Sequence, residues 1–341
     1  MHWKSETARI ARETLPGLDV FTLSREGVEE ITFSLYPLSG ETPTALMERL
    51  VAAARDRGAA ILKQLVFGRV SAHAPALAAL EEAGRDWPVT WVEGAPCAGG
   101  EVAGVQAYAV AGAEVESVFQ DGRPVARFFE DAHARYCFLG DVRPPDPTAP
   151  RPQQARCVFE SMEAALRQAG MECLQLVRTW LFLDRLLEWY HEFNPVRTRF
   201  FTERGIFDAL VPASTGIGGS NPSGTALVAE ALAVLPRDSS VWAAEVLSPL
   251  QCPARRYGSS FSRAAELITP GARRLFVSGT ASIEVDGKTA HVGDLDAQVD
   301  LTMRVVEAIL CQRGMGFHNV SRAVAYYKHG DDCQALDRYC K

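Results

Sequence analysis

Two stretches of this chain repeat one another, and the repeat limits the folds open to it. Ser161 to Met171 reads as an amphipathic helix stopping at Gly170, Leu174 to Leu183 as a strand, and Asp184 to Phe193 as a second helix. Thr302 to Leu310, Val320 to Lys328 and Asp331 to Tyr339 read the same way in the same order. Met171 precedes Arg178 by seven residues and Met315 precedes Arg322 by seven, each arginine opening an apolar run. Strand material with turn signals stands ahead of each first helix: Gln120-Asp121-Gly122-Arg123 before Arg135 to Asp141, and Asp286-Gly287-Lys288 within Arg274 to Asp294. Each unit therefore predicts strands, helix, strand, helix, which is a sheet covered on one face by helices.

The first copy runs on through Arg197-Thr198-Arg199-Phe200-Phe201 into a strand and turn over Leu210 to Ser220. The second stops at Lys341, so the internal comparison predicts that its closing strand is absent, leaving an edge to be covered. Two stretches read as boundaries. Ala95 to Gly104 is rich in glycine, and Arg143 to Pro152 carries five prolines in ten residues. Proline fixes φ, removes a donor and biases its predecessor away from the helical region, so the second run predicts a linker at 143–152 between domains at 1–142 and 153–341.

With 47% apolar and 23% charged residues the chain can bury a large core. Its formal charge of −7 offers no general attraction to phosphate backbones or anionic lipid, so nucleic acid and membrane are excluded as partners of the chain as a whole. Met1 to Glu13 is dense in charge without a signal-peptide core, and no stretch approaches the ~20 apolar residues of a membrane span, which predicts a cytoplasmic protein. Cys97, Cys137, Cys157, Cys173, Cys252, Cys311, Cys333 and Cys340 form no CxxC pair, and the seven histidines show no metal spacing, so reduced thiols and no metal are expected. No Gly-x-Ser-x-Gly elbow announces a serine nucleophile.

Three segments carry chemistry-bearing side chains. Pro212 to Pro222 gathers three glycines and three hydroxyls, including Ser214, Thr215, Gly216 and Gly218, around a turn whose backbone N–H groups suit a carboxylate, or which is a structural turn alone. Cys252 to Arg263 gathers Arg255, Arg256, Tyr257 and Arg263 with three serines. Guanidinium forks bind carboxylates in bidentate fashion, so a dianionic substrate is placed here, against the alternative of a solvated basic loop. Arg197 and Arg199 follow the first unit's second helix and face the same cleft or cap it. Ser278 to Ile283, with Gly279 and Ala281, reads as a strand of small residues that lets a ligand or another backbone approach closely.

These motifs, in this order, resemble the chorismatases: Arg178-Thr179-Trp180, Trp189-Tyr190 through Phe193-Asn194, Arg197 to Phe201, Pro212 to Gly218, Arg256-Tyr257-Gly258, Ser278 to Ile283 and His291-Val292-Gly293-Asp294. The resemblance covers Tyr136 to Lys341 closely and the N-terminal part thinly. It implies an α+β (α/β layered) fold of tandem Rid/YjgF-like (chorismate mutase-like) units, mixed sheets with helices packed on one face. It implies cleavage of the enolpyruvyl ether of chorismate, a small dicarboxylate, to pyruvate plus 3- or 4-hydroxybenzoate or a dihydroxycyclohexadienoate, without a cofactor. Carried over residue by residue, Arg256, Tyr257, Arg263, Arg197 and Tyr136 bind substrate, Ser214, Thr215, Gly216, Gly218 and Gly279 line the pocket, and Ala281 influences the product. The family's catalytic glutamate belongs to a strand beyond the helix matching Asp331 to Tyr339, past Lys341, so no catalytic acid is assigned. A monomer or a homotrimer fits. The alternatives are a Rid-type enamine/imine deaminase, which also holds a carboxylate by arginine, and a catalytically inactive carboxylate-binding module.

Overall fold

The computed structural model describes residues 8–94, 100–284 and 287–340. Cys97 with the first half of the glycine-rich boundary, Asp286 of the second predicted turn, the first seven residues and Lys341 lie outside the described residues.

The chain forms β1 (Arg9–Leu15), β2 (Leu18–Arg25), β3 (Val28–Leu35), α1 (Pro43–Arg55), β4 (Ala60–Gly68), α2 (His73–Glu82), β5 (Val89–Glu93) and β6 (Val102–Ala111). These close a sheet in the order β1-β2-β3-β6-β4-β5, antiparallel except for the β4–β5 pair. Then come β7 (Val115–Gln120), β8 (Arg123–Glu130), β9 (Ala134–Val142), α3 (Arg151–Gln168), β10 (Leu176–Leu183), α4 (Leu186–Glu203), β11 (Ala213–Gly218) and β12 (Leu227–Pro236). Their sheet runs β7-β8-β9-β12-β10-β11, with β10–β11 parallel, so it repeats the first sheet strand for strand. A third, shorter sheet of β13 (Trp242–Val246), β14 (Ala264–Thr269) and β15 (Ala272–Val277) precedes α5 (Leu295–Cys311) and α6 (Gln334–Cys340). The α+β tandem arrangement expected from the sequence is present, and its plan occurs twice in full and once in part.

The unit boundary falls at Gly112–Glu114, between β6 and β7, and not at the proline run. β9, which ends before the prolines, is hydrogen-bonded to β12, which follows them, with Leu139 opposite Ala231 and Phe138 opposite Leu232. The run 143–152 thus lies inside the second unit, where Pro150 caps α3 and Pro152 sits in its first turn, a place with no backbone donor to lose. At the true junction Gly112 has φ of 79°, and a Cβ there would meet the Gly27 carbonyl oxygen at 2.1 Å. Glycine is the residue that permits this crossing.

Local chemistry explains most elements. Glu26-Gly27 and Asp121-Gly122 both have positive φ at successive residues, the tight turn that matches strand twist. Thr42 and Asp294 cap α1 and α5, each accepting from the backbone N–H three residues on. On α3 the residues Ala155, Val158, Phe159, Met162, Ala165 and Leu166 form one buried stripe. Helix α4 continues ten residues beyond the expected end at Phe193, straight through Pro195. Pro195 faces solvent while Trp189, Phe193, Arg197 and Phe200 keep the inward stripe, so packing outweighs the lost hydrogen bond.

Two expected strands differ. Val320 to Lys328 alternates in exposure, yet has no strand partner among the described residues and stays irregular, because a strand exists only where its backbone finds a ladder partner. Arg12 instead binds the carbonyls of Val320 and His318 at 2.9 and 3.2 Å. β15 ends at Val277, and Ser278–Ala281 leaves its own sheet so that the Gly279 N–H can donate to the Ser214 carbonyl at 3.0 Å.

Helices cover the outer face of each complete sheet. Leu46, Met47 and Leu50 of α1 pack on Ile31 and Phe33, and Val158, Phe159 and Met162 of α3 meet Phe193 and Phe200. The inner faces share one core, made by Leu62 and Leu65 of the first unit, Phe138, Trp180, Phe182 and Val228 of the second, and Ala265 and Leu267 of the third. Each large side chain there contributes about 1.5–3 kcal/mol by leaving water. Val246, Ala264, Val305 and Ile309 form the small core beneath α5.

Candidate active site

Helix α4 presents Tyr190, Asn194, Arg197 and Thr198 on one face, as residues three, four, seven and eight apart must be. That face docks on the 251–263 loop through two hydroxyl pairs, Tyr190 with Ser259 at 3.2 Å and Thr198 with Ser260 at 2.8 Å. Arg197 is buried between the rings of Phe193 and Phe261, at 5.3 and 5.7 Å. Its Nη2 donates to Asn194 Oδ1 at 2.8 Å, and its buried Nε has no partner. Burial pulls its pKa down, and Tyr190 opposes the shift.

Arg263, also buried, is anchored by Nε and Nη2 to the Cys252 carbonyl at 3.0 and 2.9 Å. Its guanidinium lies over the rings of Tyr257 and Phe261 at 5.4 and 5.6 Å. Half-buried Tyr257 has its pKa raised by burial, against the pull of Arg263. Neither Arg197 nor Arg263 pairs with a carboxylate among the described residues. Two desolvated cations without a counter-charge make a site whose missing complement is an anion. Arg256 stands exposed on the single helical turn Ala254–Tyr257 that carries Tyr257.

A chain of short bonds brings the third unit to β11. The Ser262 N–H donates to the Pro212 carbonyl at 3.2 Å, Ser278 Oγ donates to the Ser262 carbonyl, and the Ser214 N–H donates to Ser278 Oγ at 2.8 Å. Ser214 and Thr179 hydroxyls bond to each other behind the strand at 2.8 Å, while Thr215 Oγ1 accepts from Arg178 Nη2 on the other side. Gly216, Gly218, Gly279 and Ala281 are exposed, and a Cβ at Gly216 would meet nothing within 4 Å. A Cβ at Gly279 would crowd Thr215 at 3.3 Å, so the small residue permits the close approach. The Ala281 carbonyl accepts from Gln251 Nε2 at 3.0 Å. The structure thus groups Arg197, Tyr257 and Arg263 on one side and Ser214, Thr215 and Gly279 on the other, joined through Ser262. Tyr136 sits apart in the inner core, fully buried, bonded to Arg25 at 3.3 Å and flanked by Arg25 and Arg274. Burial pushes its phenol up to about 12.

Sequence reasoning gave no place to the charged group behind Thr215. Lys63 on β4 and Glu230 on β12 form a fully buried ion pair between the two complete sheets, with the Lys63 ammonium 4.1 Å from the Trp180 ring centre. Arg178 stands beside them, buried, with Nη1 unpartnered. Burial lowers Lys63 to about 8 and Arg178 to about 9, and Arg322, bonded to Gln106 and Tyr108, pushes both the same way. The available signal was a single charge inside an otherwise apolar strand run: Lys63 in Ala60–Gly68, Arg178 in Leu176–Leu183, Glu230 in Leu227–Pro236.

Among the described residues no three His, Cys, Asp or Glu side chains gather as a metal site requires, and no helix is long and apolar enough to cross a membrane. No protein-family model matches the chain. Over 187 residues the chain is 32% identical to a chorismatase of Streptomyces rapamycinicus, covering 48% of this chain and 54% of that protein. Over 222 residues it is 27% identical to a 3-hydroxybenzoate synthase of Streptomyces hygroscopicus, covering 57% of this chain and 62% of that protein. The chain therefore spans about half the length of the curated relatives it matches. A chorismatase crystal structure superposes with a TM-score of 0.59 at 21% identity, over 82% of this chain and 83% of its own, which shows a common fold.

Proposed function

We propose that the chain is a member of the chorismatase family, whose curated members it matches over about half of their length, and that it binds chorismate and cleaves its enolpyruvyl ether, releasing pyruvate together with a hydroxybenzoate or a dihydroxycyclohexadienoate. The observation that carries the reading is the pair of buried guanidiniums, Arg197 and Arg263, which flank an aromatic wall and lack a carboxylate of their own. Chorismate brings two carboxylates. One held by each guanidinium supplies the missing counter-charge, and the one on Arg197 also satisfies the Nε that burial otherwise leaves at a cost of about 1–3 kcal/mol. Tyr257 and Tyr190 supply hydroxyls beside the cations, and the open edge at Gly216, where a Cβ would meet nothing within 4 Å, leaves room for the ring.

The chemistry asks for a proton on the terminal methylene carbon of the enol ether. The resulting oxocarbenium is stabilised by a dry, fixed electrostatic surround; water then adds to its cationic carbon and the hemiketal collapses to pyruvate and the ring alcohol, or the bond between ring carbon and ether oxygen breaks, so that pyruvate leaves with that oxygen and the ring loses a proton and aromatises. Buried arginines meet the second demand, because their dipoles and charges are set before the substrate arrives. The dicarboxylate substrate class and the freedom from a cofactor follow from the same reading.

The test is chorismate turnover followed by a coupled pyruvate assay, with the second product identified by chromatography. Arg197→Met keeps the volume of the side chain and removes its charge. It is expected to lower kcat/KM roughly 10- to 100-fold, the loss of one charge-assisted contact. Pyruvate release unchanged in Arg197→Met, or no release by the parent protein, would overturn the assignment; in the second case, chorismate binding alone would leave a carboxylate-binding module.

A further inference from the structure

The third unit leans on β11 of the second, and the second leans on the first in the same manner at β5. In the parallel pairs, Thr90 lies opposite Leu65 and Ser214 lies opposite Thr179, so the two strands occupy the same station in their units. Thr90 Oγ1 accepts from the Asp141 N–H at 2.8 Å, where Ser214 accepts from Gly279 through its carbonyl. A glycine again permits the approach, since a Cβ at Gly140 would stand 3.3 Å from Thr90 Oγ1. The first junction encloses a cavity of about 150 Å³ walled by His73, Arg85, Trp91, Arg123, Asp141 and Arg143.

Three guanidiniums share this cavity with one inward carboxylate. Asp141 takes a 2.8 Å contact from Arg123 and a 3.6 Å contact from Arg143 Nε. Arg143 has no protein acceptor on either Nη among the described residues. The buried Nε of Arg85 is also unpartnered, its Nη1 being held by the Trp87 carbonyl at 2.9 Å. Glu81, which meets Arg85 at 3.5 Å, is 60% exposed and belongs to the rim. His73 faces Arg143 and Arg85 and is shifted toward its neutral form, first by burial and then by their charges. The excess of fixed positive charge calls for an anion. Trp91, 3% exposed, closes the apolar side of the cavity with Leu77 and Val89, braced edge-on by His73 at 5.3 Å and fixed by its indole N–H to the Gly68 carbonyl at 3.0 Å. A cavity of ~150 Å³ accommodates one six-membered aromatic ring.

We propose that this junction is a second binding site, separate from the Arg197–Arg263 cluster, for a small aromatic monocarboxylate whose carboxylate meets Arg143 and Arg123 and whose ring lies on Trp91. The proposal stands on this cavity and does not depend on the reaction assigned above.

The test uses 3-bromobenzoate as the probe. Crystals of the full chain grown with it are expected to show a bromine anomalous peak beside Trp91, and calorimetry is expected to show a benzoate affinity that falls at least tenfold in Arg143→Ala. Arg197→Met keeps that affinity, which separates the pocket from the chorismate site, and pyruvate release by Arg143→Ala stays at the parent level. Arg143→Gln, which keeps the volume and removes the charge, decides the matter if Arg143→Ala fails to fold. A bromine peak confined to Arg197 and Arg263, or affinity unchanged in both Arg143 variants, would overturn the proposal.

Discussion

Replacing Glu230 by leucine strands Lys63 in the inner core. In the parent the pair is sealed, with side-chain exposures of 2% for Lys63 and 0% for Glu230, so no water can take over the lost partner. Breaking a buried pair from one side costs about 3–5 kcal/mol, because an uncompensated charge remains. At roughly 2 °C per kcal/mol for a chain of this size, Glu230→Leu should lower Tm by about 6–10 °C. Arg178 and Arg322 deepen the effect, since both already act on Lys63 as like charges. The double replacement Lys63→Met with Glu230→Leu should recover most of the loss, because an apolar pair of similar volume removes both desolvation penalties. The pH dependence has a definite sign. Lys63 is held near 8 in the folded chain, below its unfolded value of 10.5, so the unfolded state binds more protons between those values and stability rises with pH there. In Glu230→Leu the charge and hydrogen bond of the carboxylate no longer oppose burial, so the lysine is pushed lower still, and as pH is raised from about 7 to about 9 its deprotonation relieves the stranded charge and the gap to the parent should narrow. Urea unfolding of the three proteins at both pH values measures this. A Glu230→Leu chain within about 2 °C of the parent, or a gap that widens with pH, would refute the argument.

Two further outcomes follow from other parts of the molecule. Gly112→Ala must both hold an L-residue at φ of 79° and displace the Gly27 carbonyl, so it should destabilise by more than the ~1–2 kcal/mol of the dihedral alone, read as a fall in the urea midpoint at unchanged m. His133 bridges the units, its Nε2 3.0 Å from Glu26 and its Nδ1 3.2 Å from Asp238. Slight burial opposes the shift, but the hydrogen bonds to Asp238 and Glu26 hold its pKa above 6.5, so its stabilisation is complete below that pH and is lost as pH rises through the folded value. The Tm difference between the parent and His133→Asn should therefore be larger at about pH 5.5 than at about pH 8.5, and an equal difference at both would count against the bridge.

Periodicity made the second unit legible. The stripe on α3 and the Asp121-Gly122 turn are local signals, and they are where the sequence places them. The first unit escaped notice because it shares the order of its strands with the second and none of its motifs; β4 is matched to β10 by position in a sheet, which no local window reports. Pro195 reads as a helix stop, and only the inward side chains Arg197 and Phe200 show why α4 goes on. Of the site, Ser214, Thr215, Gly279 and Arg263 were legible as unusual small, hydroxylated or cationic residues, and folding draws them together through Ser262. Tyr136 looks alike in sequence and lands in a different core. Lys63 and Glu230 stand 167 residues apart, so each alone looked like a flaw in a strand.

The shared inner core also sets a timetable for synthesis. β4 and β6 are complete by Ala111, but the strands that cover their inner face continue to Pro236, a further 125 residues. At translation rates of about 5–20 residues per second the first sheet waits roughly 6–25 s with Leu62, Leu65 and Val110 uncovered and Lys63 without its carboxylate. During that interval the uncovered apolar face and the unpaired charge, which the finished molecule hides, are open to mispairing.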